Sequence, residues 1–279
     1  MKKIYTILTL NIAGFLLSAQ AADPVLHYAL DEGAGSTAAN LGTATGANGA
    51  LYHGSTSLVG AAGDGYWVAD SPSGSGSSYS MTTPDSYVQA GVLSDLSGVG
   101  DFTFTMWLKL SDVQYNDRIF STRGTAGTGF IDLLAVSGST ASALNLSLQL
   151  KGTGGSATIN SVAFDATEWT FLSVVRDGDT VTFNTGSVLL GSAQLSTESG
   201  LYEGTVGQSA GNFEIAGTAA SGSDRSPLGA ISDFRFYNEA LSLSAIDGVR
   251  QSAIPEPSTT MMLSVIGIIA VGLRRRGAK

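Results

Sequence analysis

The sequence contains no cysteine, which excludes disulfide bonds, thiolate metal sites and cysteine nucleophiles. Charged residues are also sparse, at 13% of the chain, and histidine occurs only as His27 and His53. Neither histidine lies near a GxSxG or HExxH pattern. His27 falls within a predicted strand, where a packing role is favoured. We therefore assign no catalytic residue.

Residues 1–21 have the features of a secretory signal peptide. Two lysines precede the mainly apolar run Ile4–Leu17, and Ala19-Gln20-Ala21 has the small-x-small pattern of a cleavage site. We predict cleavage between Ala21 and Ala22. An uncleaved N-terminal anchor is the alternative.

Residues 254–279 form a second segment that is set apart from the rest of the chain. Pro255 and Pro257 keep the backbone extended, and residues 259–273 are 15 positions without a charge. As a helix this run spans roughly 22 Å, short of the ~30 Å hydrocarbon core, although a start at Pro257 and snorkelling arginines extend it. We predict a C-terminal hydrophobic helix whose following basic cluster favours a cytoplasmic end: Arg274, Arg275 and Arg276. A buried terminal helix or strand of the domain is the alternative.

The intervening residues 22–254 are strongly acidic. They carry eight basic and 22 acidic residues, a net charge of −14. This balance argues against nucleic acid or an anionic membrane surface as a partner, and it permits hard cations such as Ca²⁺. A stretch of 233 residues is long enough to bury a core without disulfides, and we predict one domain.

Short apolar runs separated by Gly, Ser, Asn and Asp predict an all-β, antiparallel sandwich. In the clearest strand, Asp101–Leu110, apolar residues alternate with others, which predicts one face on the core. Asp177-Gly178-Asp179 predicts a hairpin, and Val188–Leu190 is predicted as a further short strand. A helical turn is expected over Leu241–Val249, capped by Ser242 or Ser244.

Four segments together resemble the LamG-like jelly-roll domain of the concanavalin A-like lectin/glucanase group. They are His27–Gly35, Asp101–Lys109, Glu168–Gly178 and Gly229–Ser242. The resemblance spans residues 25–248 and implies an antiparallel jelly-roll β-sandwich in which the first and last strands are neighbours. Two positions depart from the family pattern: Ser232 stands where an aspartate is frequent, and Thr185-Gly186 stands where Asn-Gly is common.

The resemblance also implies candidate sites. Family members often bind a structural calcium ion, which suggests Asp31, Glu32 and Asp233 as oxygen ligands; ordinary surface carboxylates are the alternative. Glucanases of this fold carry a Glu-x-Asp-x-x-Glu strand that is missing here. Asp177 and Asp179 have the chemistry of a glycosidase pair, but their turn explains both.

Aromatic residues supply the candidate ligand contacts. Tyr66 and Trp67 lie in the long irregular region 63–83, and long polar loops are frequently functional. Their rings, like that of Trp107, could stack on sugar rings. Trp107 falls on the polar side of its strand, so that either a loop or a ligand must cover it.

The C-terminal segment resembles the PEP-CTERM sorting signal of Gram-negative bacteria. The matching parts are Pro255, Glu256 and Pro257, the apolar run and the arginine cluster, with Ile254 where valine is usual. The resemblance implies export, transient tethering in the inner membrane, processing by an exosortase-type enzyme, and a final place at the cell surface or in the extracellular matrix.

The sequence therefore predicts an exported, non-catalytic β-sandwich that binds carbohydrate, organises exopolysaccharide or binds another surface protein. Two alternatives stay open. One is a glycoside-active enzyme of the glucanase group, and the other is a purely structural matrix component.

Overall fold

The computed structural model describes residues 23–53, 56–57, 66–123, 129–152, 155–199, 204–206, 211–217 and 225–254. The predicted cleavage point, Ala21 and Ala22, lies outside these ranges, as does the sorting segment with Pro255, Glu256, Pro257, Arg274, Arg275 and Arg276. No helix in the ranges given is both long and apolar enough to cross a bilayer.

Within these ranges the chain forms 17 strands and one α-helix. In chain order they are β1 (Leu26–Tyr28), β2 (Thr37–Ala38), β3 (Gly49–His53), β4 (Thr56–Ser57), β5 (Trp67–Val68), β6 (Ser78–Met81), β7 (Ser86–Ala90), β8 (Phe102–Asp112), β9 (Arg118–Ser121), β10 (Phe130–Ala135), β11 (Leu146–Gly152), β12 (Gly155–Asn160), β13 (Thr170–Asp177), β14 (Thr180–Ser187), β15 (Ala193–Glu198), β16 (Phe213–Ile215), β17 (Leu228–Tyr237) and α1 (Leu243–Ser252). A single 3-10 turn covers Ser94–Leu96.

The strands form two antiparallel sheets. The eight-stranded sheet has the order β15-β14-β13-β8-β17-β6-β5, with β1 also paired to β17. The nine-stranded sheet has the order β12-β11-β10-β9-β16-β7-β3-β2, with β4 paired to β3. This arrangement confirms the predicted all-β jelly-roll sandwich, and the β1–β17 pairing confirms that the first and last strands are neighbours.

The main core lies between the sheets and is rich in aromatic rings. The apolar face of β8 contributes five buried side chains, as its alternation predicts: Phe102, Phe104, Met106, Leu108 and Leu110. The Phe104 ring meets Phe120 of the opposite sheet edge-to-face, with 4.6 Å between centroids, a geometry that aromatic pairs prefer.

The other face of β8 is buried as well, which the sequence did not predict. Helix α1 packs across it and shares a second apolar cluster with Trp107 and Trp169. Thr103 accepts a hydrogen bond from the backbone N–H of Leu241 at 2.9 Å and donates to the carbonyl of Glu239. The chain that returns after β17, including helix α1, therefore covers the strand face for which the sequence left a loop or a ligand as the cover.

The predicted hairpin and helix cap are confirmed, whereas the prediction of a short strand at Val188–Leu190 is wrong. Asp177-Gly178-Asp179 does join the hairpin β13–β14, and Ser242 caps α1 by accepting a hydrogen bond from the N–H of Ala245. Val188–Leu190, however, is not a strand; it forms the turn between β14 and β15. Seven short strands were not predicted, because few of their residues are apolar or because they are very short: β2, β4, β5, β6, β12, β15 and β16. Two of them, β5 and β6, lie in the region 63–83 that was expected to be irregular.

Phe104→Ala is expected to lower the free energy of unfolding by about 3–5 kcal/mol, the usual cost of removing a buried phenylalanine ring. Phe104→Asp would in addition bury an unpaired carboxylate, and we expect no folded protein. Thermal and denaturant unfolding measure both effects. Tyr115→Ala is the control, since that ring is exposed. An unchanged midpoint for Phe104→Ala would contradict the packing of β8.

Candidate functional site

A bulge in the last strand helps to form a pocket on the described surface. The pairing of β17 with β8 breaks between Ser232 and Arg235, and Asp233 adopts a φ of 51°, which aspartate tolerates better than most residues. The backbone N–H of Asp233 donates to the carbonyl of Ala29 at 2.9 Å. Bulges re-aim side chains, and this one sets Asp233 beside β1.

Around this bulge lies a pocket of about 320 Å³, the outer pocket, on the outer side of the eight-stranded sheet. Its walls come from β1 and the chain that follows it, the serine-rich loop before β6, the bulge of β17 and the end of α1. The lining residues are mainly polar and include His27, Asp31, Asp233 and Arg235, four serines of the loop, and Ser232 and Ser252.

His27, Asp233 and Arg235 form a hydrogen-bonded triad that lines the outer pocket. Asp233 Oδ1 lies 2.8 Å from His27 Nε2 and 3.0 Å from Arg235 Nε. Burial is the largest single influence and lowers the pKa of Arg235, but attraction and hydrogen bonding by Asp233 and Tyr237 together raise the pKa by more, so that the net shift is upward. Asp233 Oδ2 is buried and accepts no hydrogen bond. Unpaired buried carboxylate oxygens are costly, so this atom has unused capacity for a donor.

The loop that faces the triad is held in place by its own hydrogen bonds. Ser71 Oγ donates to the carbonyl of Ser75 at 2.7 Å, and Ser77 Oγ donates to the carbonyl of Asp31 at 2.8 Å. Asp70, just before the loop, accepts from Lys109 Nζ at 3.0 Å and from the indole of Trp169 at 2.9 Å. The hydroxyl-bearing wall is therefore anchored to β8 through Lys109 and, through Trp169, to the residue just before β13.

The three predicted calcium ligands do not converge. Asp31 and Asp233 both line the outer pocket, but Glu32 does not; its Oε1 accepts from the N–H of Ala39 at 2.8 Å. Among the residues described, no group of three or more His, Asp or Glu side chains is placed to hold a metal ion. These three residues do not fit calcium as a set. Binding of a structural calcium ion by the domain stays an untested prediction.

Of the three aromatic residues predicted to contact a ligand, two are partly exposed and one is buried. Trp67 is partly exposed; its indole N–H donates to the carbonyl of Gly35 at 2.9 Å and its ring packs edge-on against Tyr79. Tyr66 is also partly exposed and packs on the main core. Trp107 is fully buried in the cluster beneath α1. The prediction that Trp107 contacts a ligand was wrong, because a helix, rather than a ligand, covers it.

A second polar feature crosses the outer face of the nine-stranded sheet. Six residues on six adjacent strands lie in one line of register, which we call the polar row: Gln89, Glu214, Ser121, Asp132, Gln149 and Thr158. Their inward neighbours, such as Phe120 and Leu133, belong to the main core. Asp132 and Glu214 flank the strand that carries Ser121, with roughly 10 Å between their backbones.

Arginines neutralise one carboxylate of the polar row. Asp132 is fully buried and accepts from Arg118 Nε at 3.1 and 3.2 Å, with Arg123 Nε 3.6 Å away. Burial raises the pKa of Asp132, and the two arginines oppose that shift. At the other carboxylate, Gln89 Nε2 donates to Glu214 Oε1 at 2.7 Å. Asp132 is therefore placed as a counter-ion within the sheet.

The sequence analysis missed Asp132, Glu214 and Arg235 as site residues. Asp132 and Glu214 each interrupt an apolar strand, which is a weak signal for a buried charge that needs a partner. Arg235 lies between Phe234 and Phe236, and this alternation predicts an exposed polar side chain rather than a site residue. Only the cross-strand register and the bulge, which no local pattern specifies, bring these side chains together.

The fold and the polar pocket define the class of protein, a lectin-like β-sandwich. Residues 81–247 match the model of the concanavalin A-like lectin/glucanases superfamily. Because the match covers more than half of the chain, the chain belongs to that family. Residues 253–276 match the PEP-CTERM protein-sorting motif, as predicted. None of the curated proteins matches the chain significantly.

Solved structures agree on the fold. Domain 4 of AbnA, a GH43 extracellular arabinanase from Geobacillus stearothermophilus solved with arabinotriose, is 16% identical with a TM-score of 0.55; the match covers 82% of this chain and 98% of that one. The binding domain of Paraclostridial Mosquitocidal Protein 1 is 12% identical with a TM-score of 0.55, over 82% and 52% of the two chains. The Botulinum neurotoxin serotype D binding domain is 13% identical with a TM-score of 0.54; the match covers 82% of this chain and 51% of that one. This chain thus spans about half of each toxin domain.

Asp132→Asn is expected to lower the free energy of unfolding by about 3–5 kcal/mol, because the buried Arg118 would lose its counter-ion. Replacing the pair with apolar residues, as in Arg118→Met with Asp132→Leu, should recover part of the loss. Chemical denaturation of the three proteins measures this, with exposed Asp179→Asn as the control. If Asp132→Asn and Asp179→Asn have the same free energy of unfolding, the Arg118–Asp132 ion pair does not stabilise the fold.

Proposed function

We propose that this protein is an exported, non-catalytic carbohydrate-binding domain and that the outer pocket receives the sugar. The observation that carries the proposal is the pocket's mixture of hydroxyls, a guanidinium and two carboxylates. Sugar hydroxyls both donate and accept hydrogen bonds, so such a mixture suits them better than it suits an apolar ligand.

The charges of the outer pocket favour a neutral sugar. Asp31 and Asp233 contribute two negative charges, and Arg235 supplies one positive charge that already pairs with Asp233. A uronic acid would bring a further carboxylate toward Asp31 with no free cation to meet it among the described lining residues. We therefore expect neutral polysaccharides to bind more tightly than acidic ones at low salt.

Trp67 offers a second contact near this site. Its indole is bonded to the carbonyl of Gly35, on the chain segment that follows β1 and that also supplies Asp31 to the outer pocket. A partly exposed ring beside a polar pocket is a common arrangement for sugar recognition, since the ring face covers the apolar side of a pyranose.

The comparisons lend support at the level of the fold. AbnA domain 4, which shares it, was solved with arabinotriose. The PEP-CTERM motif at residues 253–276 supports export, processing by an exosortase-type enzyme and a place at the cell surface. Transient inner-membrane tethering and a Gram-negative host are parts of this proposal, as is a role in organising exopolysaccharide.

Binding to a panel of neutral and acidic polysaccharides, by affinity electrophoresis or calorimetry, tests the proposal. Asp31→Asn should weaken binding about 10-fold, because a hydrogen bond to a charged group contributes roughly 1.5–3 kcal/mol. Asp31 is exposed, so its replacement should leave the melting temperature unchanged. Asp179→Asn, an equivalent change at a distant hairpin, should bind normally. Full binding by Asp31→Asn would move the site away from the outer pocket.

Trp67→Ala separates the ring from the pocket. If the indole stacks on the sugar, its removal should weaken binding by about 10-fold or more while Tyr115→Ala has no effect. Binding lost in Trp67→Ala but kept in Asp31→Asn would place the sugar on the ring alone. If no glycan binds the unaltered protein, a purely structural matrix role becomes the better account.

One observation supports a glycoside-active enzyme as a second candidate. Asp132 and Glu214 lie on one sheet face, separated by one strand, and paired carboxylates are what glycosidases use. Against this, Asp132 is fully buried and bound to Arg118. Release of reducing sugar that disappears in Glu214→Gln would establish the enzyme; binding without release favours the non-catalytic domain.

A further inference from the structure

The turn between β14 and β15 displays two leucines to solvent. In this turn, residues 187–192, Leu189 is 91% exposed and Leu190 is 71% exposed, the highest values among large apolar side chains in the described ranges. Single exposed apolar residues are ordinary, but an adjacent pair at a protruding tip is a small apolar patch. We call residues 187–192 the leucine turn.

Hydrogen bonds within the leucine turn fix its backbone, so the two leucines are exposed by a defined conformation. Ser187 Oγ accepts hydrogen bonds from the N–H groups of Leu189 and Leu190 at 3.2 and 3.0 Å. Ser187 N–H donates to the carbonyl of Leu190 at 3.0 Å. Val188 turns inward and packs against the cluster beneath α1. The backbone thus presents both leucines outward while the residue before them anchors the tip.

Helix α1 fixes the leucine turn close to the point where the described chain ends. Arg250 Nη1 donates to the carbonyl of Ser187 at 2.7 Å, and Asp247 Oδ1 accepts from the N–H of Ser192 at 2.8 Å. Arg250 and Asp247 also pair with each other at 2.7 Å, and the hydrogen bond from Arg250 is the main cause that lowers the pKa of Asp247. The base of the turn is therefore pinned to the last turns of α1.

The chain beyond α1 soon becomes apolar. The uncharged run 259–273 starts five residues after Ile254, a distance of at most ~18 Å of extended chain. While that run is embedded in a bilayer, the end of α1 cannot move further than this from the lipid surface. The leucine turn is fixed to Asp247 and Arg250 in the last two turns of α1, so it stays near that end of the helix.

The surroundings of the leucine turn suit lipid rather than an acidic or basic partner. The 18 residues 180–197, which include β14, the turn and most of β15, contain no Asp, Glu, Lys or Arg. Asp247, which accepts a hydrogen bond from the turn, is paired with Arg250, so its charge is balanced locally and adds little to the repulsion that the 22 acidic residues of the domain would exert near a membrane. Leucine side chains gain by leaving water for the region beneath the headgroups.

From these observations we propose that the leucine turn is a second membrane contact: Leu189 and Leu190 enter the bilayer surface while the C-terminal run is embedded. The proposal rests on the tethered stage of the proposed function. It gives the tethered domain two points of attachment, and thus a fixed orientation, where a single attachment through the tail would let the domain rotate freely. Loss of the tail removes the tether and leaves two leucines, too few to hold the domain on the membrane by themselves.

The absence of cysteine makes a direct test simple. The unprocessed full-length chain, carrying Leu189→Cys labelled with an environment-sensitive fluorophore, is reconstituted into phosphatidylcholine vesicles with brominated acyl chains. Val162→Cys, at a half-exposed position in the loop after β12, is the matched control in the domain. Ser264→Cys, within the apolar run, reports whether the tail is embedded.

We expect bromine quenching at positions 189 and 264 and none at 162. Adding Leu190→Ser should reduce quenching at 189 at least twofold, because half of the apolar contact is lost, without changing quenching at 264. If the label at position 189 is quenched no more than the label at 162 while the label at 264 is still quenched, the leucine-turn contact is overturned and the tether stands. No quenching at 264 would remove the tether and the proposal with it. Shielding of 189 by a cross-linked protein, without quenching by lipid, would likewise overturn it.

Discussion

Strand β8 sends five apolar side chains into the space between the sheets and, from its other face, sets Trp107 under α1. Because β8 is buried on both sides, its neighbours β13 and β17 and the returning chain must all be in place for either cluster to close. Thr103 contributes the polar part of this closure by bonding the backbone at Glu239 and Leu241. Helix α1 is thus an integral part of the domain, although it leads directly into the sorting segment.

The same strand arrangement explains where the polar chemistry lies. β17 must follow β8 closely to bury Phe234 and Phe236, yet it departs from that register at Ser232 and Asp233. The departure gives the outer face an aspartate that no regular strand would place there, and β1 supplies His27 to meet it. The outer pocket is therefore a consequence of a local irregularity in an otherwise well-packed strand.

Sequence patterns could predict the fold because alternation and turn residues are local properties. The ten-residue alternation that begins at Asp101 and the Asp-Gly turn at residue 178 were each sufficient to define an element. The sequence required some cover over Trp107 but could not show that helix α1 provides it, since α1 lies more than 130 residues later in the chain. Likewise, Asp132 and Glu214 become neighbours only through strand order, and Asp233 meets Arg235 through a bulge that the sequence does not mark.

The position of α1 links the two surfaces for which we propose a role. Ser252 and Ala253 at its end line the outer pocket, while Asp247 and Arg250 hold the leucine turn. Both surfaces therefore lie where the sorting segment leaves the domain. A domain held by its tail and its leucine turn would keep the outer pocket close to the membrane, where access for a long polysaccharide is restricted on one side. Removal of the tail would then release the domain from the membrane and would also make the outer pocket accessible to a polysaccharide from all sides.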